Sequence, residues 1–280
     1  MNVAWIILRC LLGVIGALLL LFFVSPIGKR KKQGFYGLAA YAYAHRGLHD
    51  ISHGLPENSL RAFRHAAEFG YCAELDVHLS KDGRLVVMHD ESLLRTAGVD
   101  KNISDCTAQE LDALRLEGTD EKIPYLEEVL PIFEGRTPLV IEIKAFGKNH
   151  AALTQAVCQL LDRFPKLQFC IESFDPRVLL WLKKHRPEIV RGQLAANFLK
   201  ERSGLSLPTA FLLTHLCMNA LTLPHFVAYK YEDRSCLGAV VSRRVWGVQE
   251  FSWTLRTTRD VTQTKKNGAL PIFELCHPET

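Results

Sequence analysis

No two cysteines in this chain are spaced as a CxxC pair. Cys10, Cys72, Cys106, Cys158, Cys170, Cys217, Cys236 and Cys276 are scattered over all 280 residues. That argues against a zinc or disulfide framework; dispersed cysteines in a chain this long read as small core residues and suit a reducing compartment. Glycine-rich phosphate loops of the GxGxxG or GxxxxGKS/T kind are also missing, which counts against an open nucleotide-binding sheet. Basic residues do not alternate with aromatics in any patch, and the net charge is only +4, so nucleic acid is not an expected partner. Finally, Ser203 through Tyr229 contains no Asp, Glu, Lys or Arg.

What remains is 48% hydrophobic and 23% charged, an ordinary globular composition with one apolar segment added. That segment is Val3–Ile27, apolar except for Arg9. At ~1.5 Å per residue it is long enough to cross a hydrocarbon core of ~30 Å, and Arg9 can snorkel from near its end. A cleaved signal peptide is the rival reading, but it lacks a basic leader and a convincing small-x-small cleavage site. Lys29, Arg30, Lys31 and Lys32 follow directly, and such positive charge belongs on the cytoplasmic side. The sequence thus predicts a single-pass anchor in the cell membrane over residues 1–28, a basic linker over 29–41, and a cytoplasmic domain over 42–280.

The domain alternates strands and helices about eight times. Strands are expected at 42–44, Cys72–Leu79, Leu139–Ile143, Gln168–Ile171 and Val190–Leu194, with short apolar runs near 226–229, 245–251 and 269–273. Asn58 or Ser59 can cap a helix running to about Phe69, which Gly70 ends. Asp82-Gly83 signals a hairpin that returns the chain to His89. Thr107 and Glu110 form a capping box; further helices are expected over Tyr125–Phe133, His150–Phe164 and Pro176–His185. Polar residues of interest fall at strand C-termini. The fold class is therefore α/β, a (β/α)8 TIM barrel with its site at the C-terminal mouth, preceded by a transmembrane helix.

One stretch, His45 to Asp90, carries the chemistry. Glu74 and Asp76 lie two apart on a strand and so face one side together, a costly arrangement unless a cation lies between them. With Glu142 they make three oxygen ligands from two strands, a set suited to Mg²⁺ or Ca²⁺. The plainer reading of Glu142 is an ion pair with Lys144. His45 and His89 bracket the carboxylates and titrate near neutral pH, as an acid–base pair needs. Arg46 and Lys144 are the natural clamps for phosphoryl oxygens. Glu57, Ser173, Gln193 and Trp253 are additional candidates near the same mouth. Asn58 reads as a helix cap. His49, His53 and His78 are left outside the site, His78 on the expectation that it points outward.

In order along the chain stand HRG (45–47), PEN (56–58), ELDV (74–77), KDG (81–83), HD (89–90), EIK (142–144) and ESF (172–174). This ordered set resembles the glycerophosphodiester phosphodiesterases, most closely a membrane-anchored bacterial branch, over about Ala44 to Trp253. The resemblance implies a (β/α)8 barrel with a small insertion after the second strand, a divalent cation, and hydrolysis of glycerophosphodiesters to glycerol 3-phosphate and an alcohol. It gives His45 and His89 the acid–base roles. Two departures stand out. The family often ends in a T-D-x-P turn, whereas this chain reads Phe273-Glu274-Leu275-Cys276-His277-Pro278, and the apolar insertion at about 203–229 exceeds what a minimal barrel needs. That run is expected to form an apolar helix on the membrane surface, with plain core packing as the alternative. It favours the alternative of a lysophospholipase D acting on membrane lysophospholipids; a non-catalytic membrane-bound binding protein is the reading from another class.

Overall fold

The structure, a computed structural model, describes residues 3–24, 38, 41–202 and 204–278. In chain order these form α1 (Val3–Val24), β1 (Tyr43–Ala44), α2 (Leu60–Glu68), β2 (Cys72–Leu79), β3 (Leu85–Val87), α3 (Leu94–Ala97), α4 (Ala108–Asp112), α5 (Leu126–Phe133), β4 (Leu139–Ile143), α6 (His150–Leu161), β5 (Phe169–Ser173), α7 (Pro176–His185), β6 (Arg191–Ala195), α8 (Leu207–Thr214), α9 (Asn219–Thr222), β7 (Phe226–Lys230), α10 (Leu237–Arg244), β8 (Gln249–Leu255), α11 (Thr258–Lys266) and β9 (Leu270–Phe273).

Parallel pairing runs β1–β2–β4–β5–β6–β7–β8–β9, and the short β1 pairs with both β2 and β9, so the sheet closes on itself. β3 alone is antiparallel, folded back on β2 by the Asp82-Gly83 turn, where Gly83 takes a positive φ of 84°. The result is the expected eight-stranded parallel barrel. Residues 80–125 form the insertion after the second strand, with a small core of their own around Val86, Met88, Leu93, Ile103 and Leu111.

Alternation along the strands sorts two cores. Leu75, Val77, Leu139, Ile141, Ile143 and Ile171 face outward against the helices. Tyr43, Cys72, Val140, Cys170, Phe226 and Phe251 fill the barrel interior, as layers of side chains do in this architecture. Phe226 and Phe251 sit 4.6 Å apart, centroid to centroid. Room for them comes from Gly192 on β6: a Cβ there would lie 2.0 Å from the Phe226 ring.

Helix starts follow the capping chemistry. Ser59, not Asn58, caps α2, and the Thr107–Glu110 capping box opens α4. The uncharged run differs from the single helix expected. Ser206 caps α8, which stops at His215; Leu216 and Leu223 take positive φ values, and Pro224 follows, so the run breaks into α8, α9 and then strand β7. Its last residues are thus barrel core, since Phe226 is fully buried. Of the expected linker, Leu38 is described; it is buried and accepts a 2.7 Å hydrogen bond from the Tyr43 hydroxyl. The Lys29–Lys32 cluster lies outside the described residues. α1 is apolar and solvent-exposed, long enough to be a membrane span or a signal sequence.

Gly192→Val should destabilise the domain by at least ~1–3 kcal/mol through overpacking against Phe226, read as a lower urea midpoint at unchanged slope. Adding Phe226→Leu should recover part of the loss; no recovery would mean the clash is not with that ring.

Candidate active site

The barrel collects its carboxylates at the mouth by register. Asp76 on β2 pairs with Glu142 on β4, and Glu142 with Glu172 on β5. Glu74 lies two residues before Asp76 on the same face. All four are buried, and ligand oxygens of Glu74, Asp76 and Glu142 lie within 4.8 Å of one another. Lys144 reaches back over the end of β4 and contacts both Glu142 (2.8 Å) and Asp76 (3.0 Å). The Glu142–Lys144 ion pair is therefore present, but one ammonium is shared between two carboxylates. Glu74 receives the Arg46 backbone N–H at 3.1 Å. Glu172 keeps one buried oxygen, Oε2, with no hydrogen-bond partner.

The electrostatics show the imbalance. Burial, then the charges of Asp76 and Glu142, hold Glu74 well above the ordinary carboxylate range. Burial also pushes Glu142 up to about 7 despite Lys144. Glu172 is raised for the same reason, with Glu142 adding to it. Asp76 goes the other way: burial opposes its charge, but Lys144, His89, Arg46 and the Asn58 amide outweigh it. Asn58 thus donates to Asp76 at 2.9 Å from a backbone with φ of 53°; it is a site residue rather than a cap.

Each imidazole is held by a carboxylate at Nδ1, leaving Nε2 for chemistry. His45, just past β1, donates to Glu274 at 2.8 Å, and its Nε2 lies 3.9 Å from Glu74. His89, delivered by the β2–β3 hairpin, donates to Asp90 at 2.6 Å. Arg95 on α3 binds Asp90 at 2.6 Å and Glu57 at 2.6 Å, and Glu57 in turn holds Arg46 at 3.0 Å. Glu57 therefore orients the arginine and stands apart from the acidic trio. His78 does not point outward. It lies two residues beyond Asp76 and shares its face; it is buried, stacks on Phe146 and donates to the His89 carbonyl at 3.1 Å.

The remaining candidates divide. Ser173 spends its hydroxyl on the Ile143 carbonyl (2.7 Å) and the Asp175 N–H, so it braces the loop and does not face the pocket. Gln193 donates from Nε2 to the Ser173, Phe174 and Leu194 carbonyls. Trp253 stands at the rim with its ring edge-on to Phe174 at 5.8 Å and its indole N–H without a partner. Sequence reasoning missed Glu274, Asp90, Arg95 and Glu172. Glu172 was readable, being at the strand position before Ser173, and so was Asp90, which follows His89 directly. Arg95 reaches Glu57 and Glu274 reaches His45 from segments far apart in the chain.

The donor set fits a hard divalent cation: clustered carboxylate oxygens, two of them on groups whose charge the protein alone does not balance, and an unpartnered Oε2 beside them. Because folding raises Glu74 and Glu142, the cation-free protein binds protons there that the unfolded chain releases. That stabilisation is complete below the ordinary carboxylate value and is lost as pH rises, through about 7 for Glu142 and well above the ordinary carboxylate range for Glu74. His45 and His78, each lowered to about 4 by burial, oppose it, since their contribution is lost as pH falls through the range below 6.5. The cation-dependent difference isolates the carboxylates. Saturating Mg²⁺ or Ca²⁺ should raise Tm by about 5–10 °C at pH 7 and clearly less at pH 5, where protons compete. An equal shift at both pH values, followed by differential scanning fluorimetry, would dissociate cation binding from these groups.

Comparison with known proteins agrees with this geometry. The Glycerophosphoryl diester phosphodiesterase family matches residues 45–273. A glycerophosphodiester phosphodiesterase of Caldanaerobacter subterraneus subsp. tengcongensis is 34% identical over 234 residues, 80% of this chain and 89% of that protein. A human lysophospholipase D is 37% identical over 164 residues, covering 54% of this chain and 49% of its own; the chain spans about half the length of the mammalian relatives it matches. In fold it is similar to an Oleispira antarctica phosphodiesterase solved with sn-glycerol-3-phosphate, with a TM-score of 0.69 at 24% identity, covering 85% and 94% of the two chains. With its family match running from the first histidine to the last strand, on a closed barrel that gathers both histidines and the acidic cluster at one mouth, the chain belongs to the glycerophosphodiester phosphodiesterase family.

Proposed function

We propose that the protein hydrolyses glycerophosphodiesters to glycerol 3-phosphate and an alcohol, with Glu74, Asp76 and Glu142 holding a divalent cation. The observation that carries this reading is the pair of carboxylate-oriented imidazoles flanking a cluster of buried carboxylates. The bound cation would polarise the phosphoryl group and lower the pKa of a coordinated hydroxyl. Everything else is supplied by the chain. His45 is neutral at pH 7, lowered by burial to about 4, and its Nε2 can accept the nucleophile's proton. His89 is more exposed and would donate from Nε2 to the departing alkoxide as the imidazolium, a form that burial disfavours and that Asp76 and Asp90 support. Glu274 and Asp90 fix which ring nitrogen faces the phosphorus. Lys144 has three ammonium protons and two carboxylate partners, which leaves one for a phosphoryl oxygen. Arg46 keeps Nε without a hydrogen bond, 3.8 Å from Asp76, while Glu57 holds its other end, so its positive charge stands at the mouth where it would favour the phosphate.

A second reading, lysophospholipase D activity on lysophospholipids, keeps this chemistry and the same departing headgroup alcohol; what changes is the retained glycerol phosphate, which carries one acyl chain. The apolar run and α1 favour it. In both readings residues 1–28 anchor the domain to the cell membrane, and the Lys29–Lys32 cluster holds it on the cytoplasmic side.

The direct test is product analysis with glycerophosphocholine and lysophosphatidylcholine, with chelator and with each metal restored. Chelation should abolish release of product and Mg²⁺ or Ca²⁺ should return it; full activity in chelator would remove the carboxylate assignment. His45→Ala and His89→Ala should each lower kcat by about 10²–10⁴ in folded protein. Glu274→Gln should lower kcat with little change in KM, by less than His45→Ala does, because the amide still accepts from Nδ1. If Glu274→Gln instead raises KM alone, Glu274 binds substrate rather than positioning His45. A reporter fused after Thr280 should be active only in its cytoplasmic form, and labelling of that end from outside intact cells would reverse the topology.

A further inference from the structure

Within their own spans α8, α9 and α10 carry no acidic residue, and their charged side chains are Arg243 and Arg244; α6 and α7 also lack acids, but α7 ends in Lys183 and Lys184. Arg243 is used internally, paired with the buried Glu250 at 2.6 Å. The surface they present is apolar. On α8, Leu207, Phe211 and Leu212 are 60%, 43% and 42% exposed, and Leu207 and Phe211 are one turn apart. On α10, Leu237 and Val245 bracket Val241 at the same spacing and are also exposed. Gly238 lets the two helices meet closely, since a Cβ there would lie 2.6 Å from the His215 backbone. The two stripes therefore form one continuous wall. Leu221 on α9 extends it toward the N-terminal end of the barrel, where α9 is tied by Arg191 to the start of β6. α1 approaches the barrel at this wall, against α9 and α10.

We propose that the α8–α10 wall rests on the lipid bilayer, so that the barrel lies on its side with its mouth opening at headgroup level. The proposal rests on the reading of α1 as a retained span. The occupant is argued from three observations: continuity of the wall with α1, absence of carboxylates on its helices, and the exposed Arg244 beside Val245, which suits anionic headgroups. Isolated exposed leucines are ordinary; a joined patch on neighbouring helices next to an apolar span is not. The orientation also bears on substrate. α8 and α10 begin at the mouth, after the loops of β6 and β7. There Phe198 and Trp253 both pack edge-on against Phe174 at 5.8 Å. These three rings at the mouth, on loops that lead to α8 or follow β5 and on β8, offer an apolar contact suited to the single acyl chain of a lysophospholipid.

The test uses the full, unaltered chain in phosphatidylcholine–phosphatidylglycerol vesicles containing a lipid with a photoactivatable diazirine on its acyl chain, with labelled peptides mapped by mass spectrometry. Label in α1, α8 and α10, with none on α2 and α5 across the barrel, is the expected result. Label confined to α1 overturns the proposal and leaves the anchor reading intact; an unlabelled α1 overturns both. As a second arm, Phe211→Asp with Leu212→Asp should lower hydrolysis of vesicle-borne lysophosphatidylcholine at least tenfold while glycerophosphocholine hydrolysis stays within twofold. Equal rates on the vesicle substrate would separate the wall from substrate access. If both activities fall together, the variant is misfolded and the labelling of the unaltered chain decides.

Discussion

Four carboxylates buried at one end of a barrel are the constraint to which the rest of the site answers. Two unit charges under 5 Å apart repel by about 3–4 kcal/mol at an effective dielectric constant of ~20, and the cluster holds several such pairs. Lys144 relieves Asp76 and Glu142; Arg46 adds charge from 3.8 Å; Glu74 and Glu172 are left to protonation or to a cation. The barrel imposes this arrangement because parallel register sets Asp76, Glu142 and Glu172 side by side. A sheet that placed three acids in adjacent register without a ligand would be under pressure to lose one of them. Their presence beside two oriented histidines is the physical basis for reading the mouth as a phosphodiester site.

The outer ring of the site is a chain of charged hydrogen bonds that starts between neighbours in sequence and crosses the mouth through Arg95 and Glu57. His89 leans on Asp90, Asp90 on Arg95, Arg95 on Glu57, and Glu57 on Arg46. Arg95 belongs to the insertion after β2, whose separate core gives it a fixed platform. The insertion thus ties the orientation of one histidine to that of the phosphate-facing arginine. His78 supports the same histidine from the other side through its carbonyl. A bond to a charged partner is worth more than a neutral one when shielded from water, which is why these supports cluster where the side chains are partly buried.

Much of this was legible from sequence because the decisive signals are local. Glu74 and Asp76 announce themselves by strand spacing, the Asp82-Gly83 turn by its dipeptide, the α4 cap by Thr107 and Glu110. Strand and helix alternation gave the barrel, and the strands Cys72–Leu79 and Leu139–Ile143 end where the pattern ends. The failures share a cause. Whether Asn58 caps a helix or holds Asp76 depends on a left-handed backbone that the neighbouring Ser59 makes possible by taking the cap itself. The run of uncharged residues from 203 to 229 looks like one apolar helix, yet its end is needed as β7 to close the barrel. Composition cannot distinguish a residue that is apolar for the core from one that is apolar for the surface.

Glu274 shows the limit most clearly. In sequence it is a departure from the family's usual closing turn, 229 residues from its partner. In space the closing strand β9 lies beside β1, so the residue after β9 necessarily meets the residue after β1. Barrel closure therefore makes any acid at that position a partner for His45, whatever motif surrounds it. Glutamate is one methylene longer than aspartate, and here the extra reach is held by Arg256, which binds the other carboxylate oxygen at 2.7 Å. With one oxygen fixed by arginine and the other by the imidazole, the side chain has little freedom left, and His45 inherits that rigidity. The departure in sequence thus preserves, through a different side chain, a contact that the topology of a closed barrel makes available.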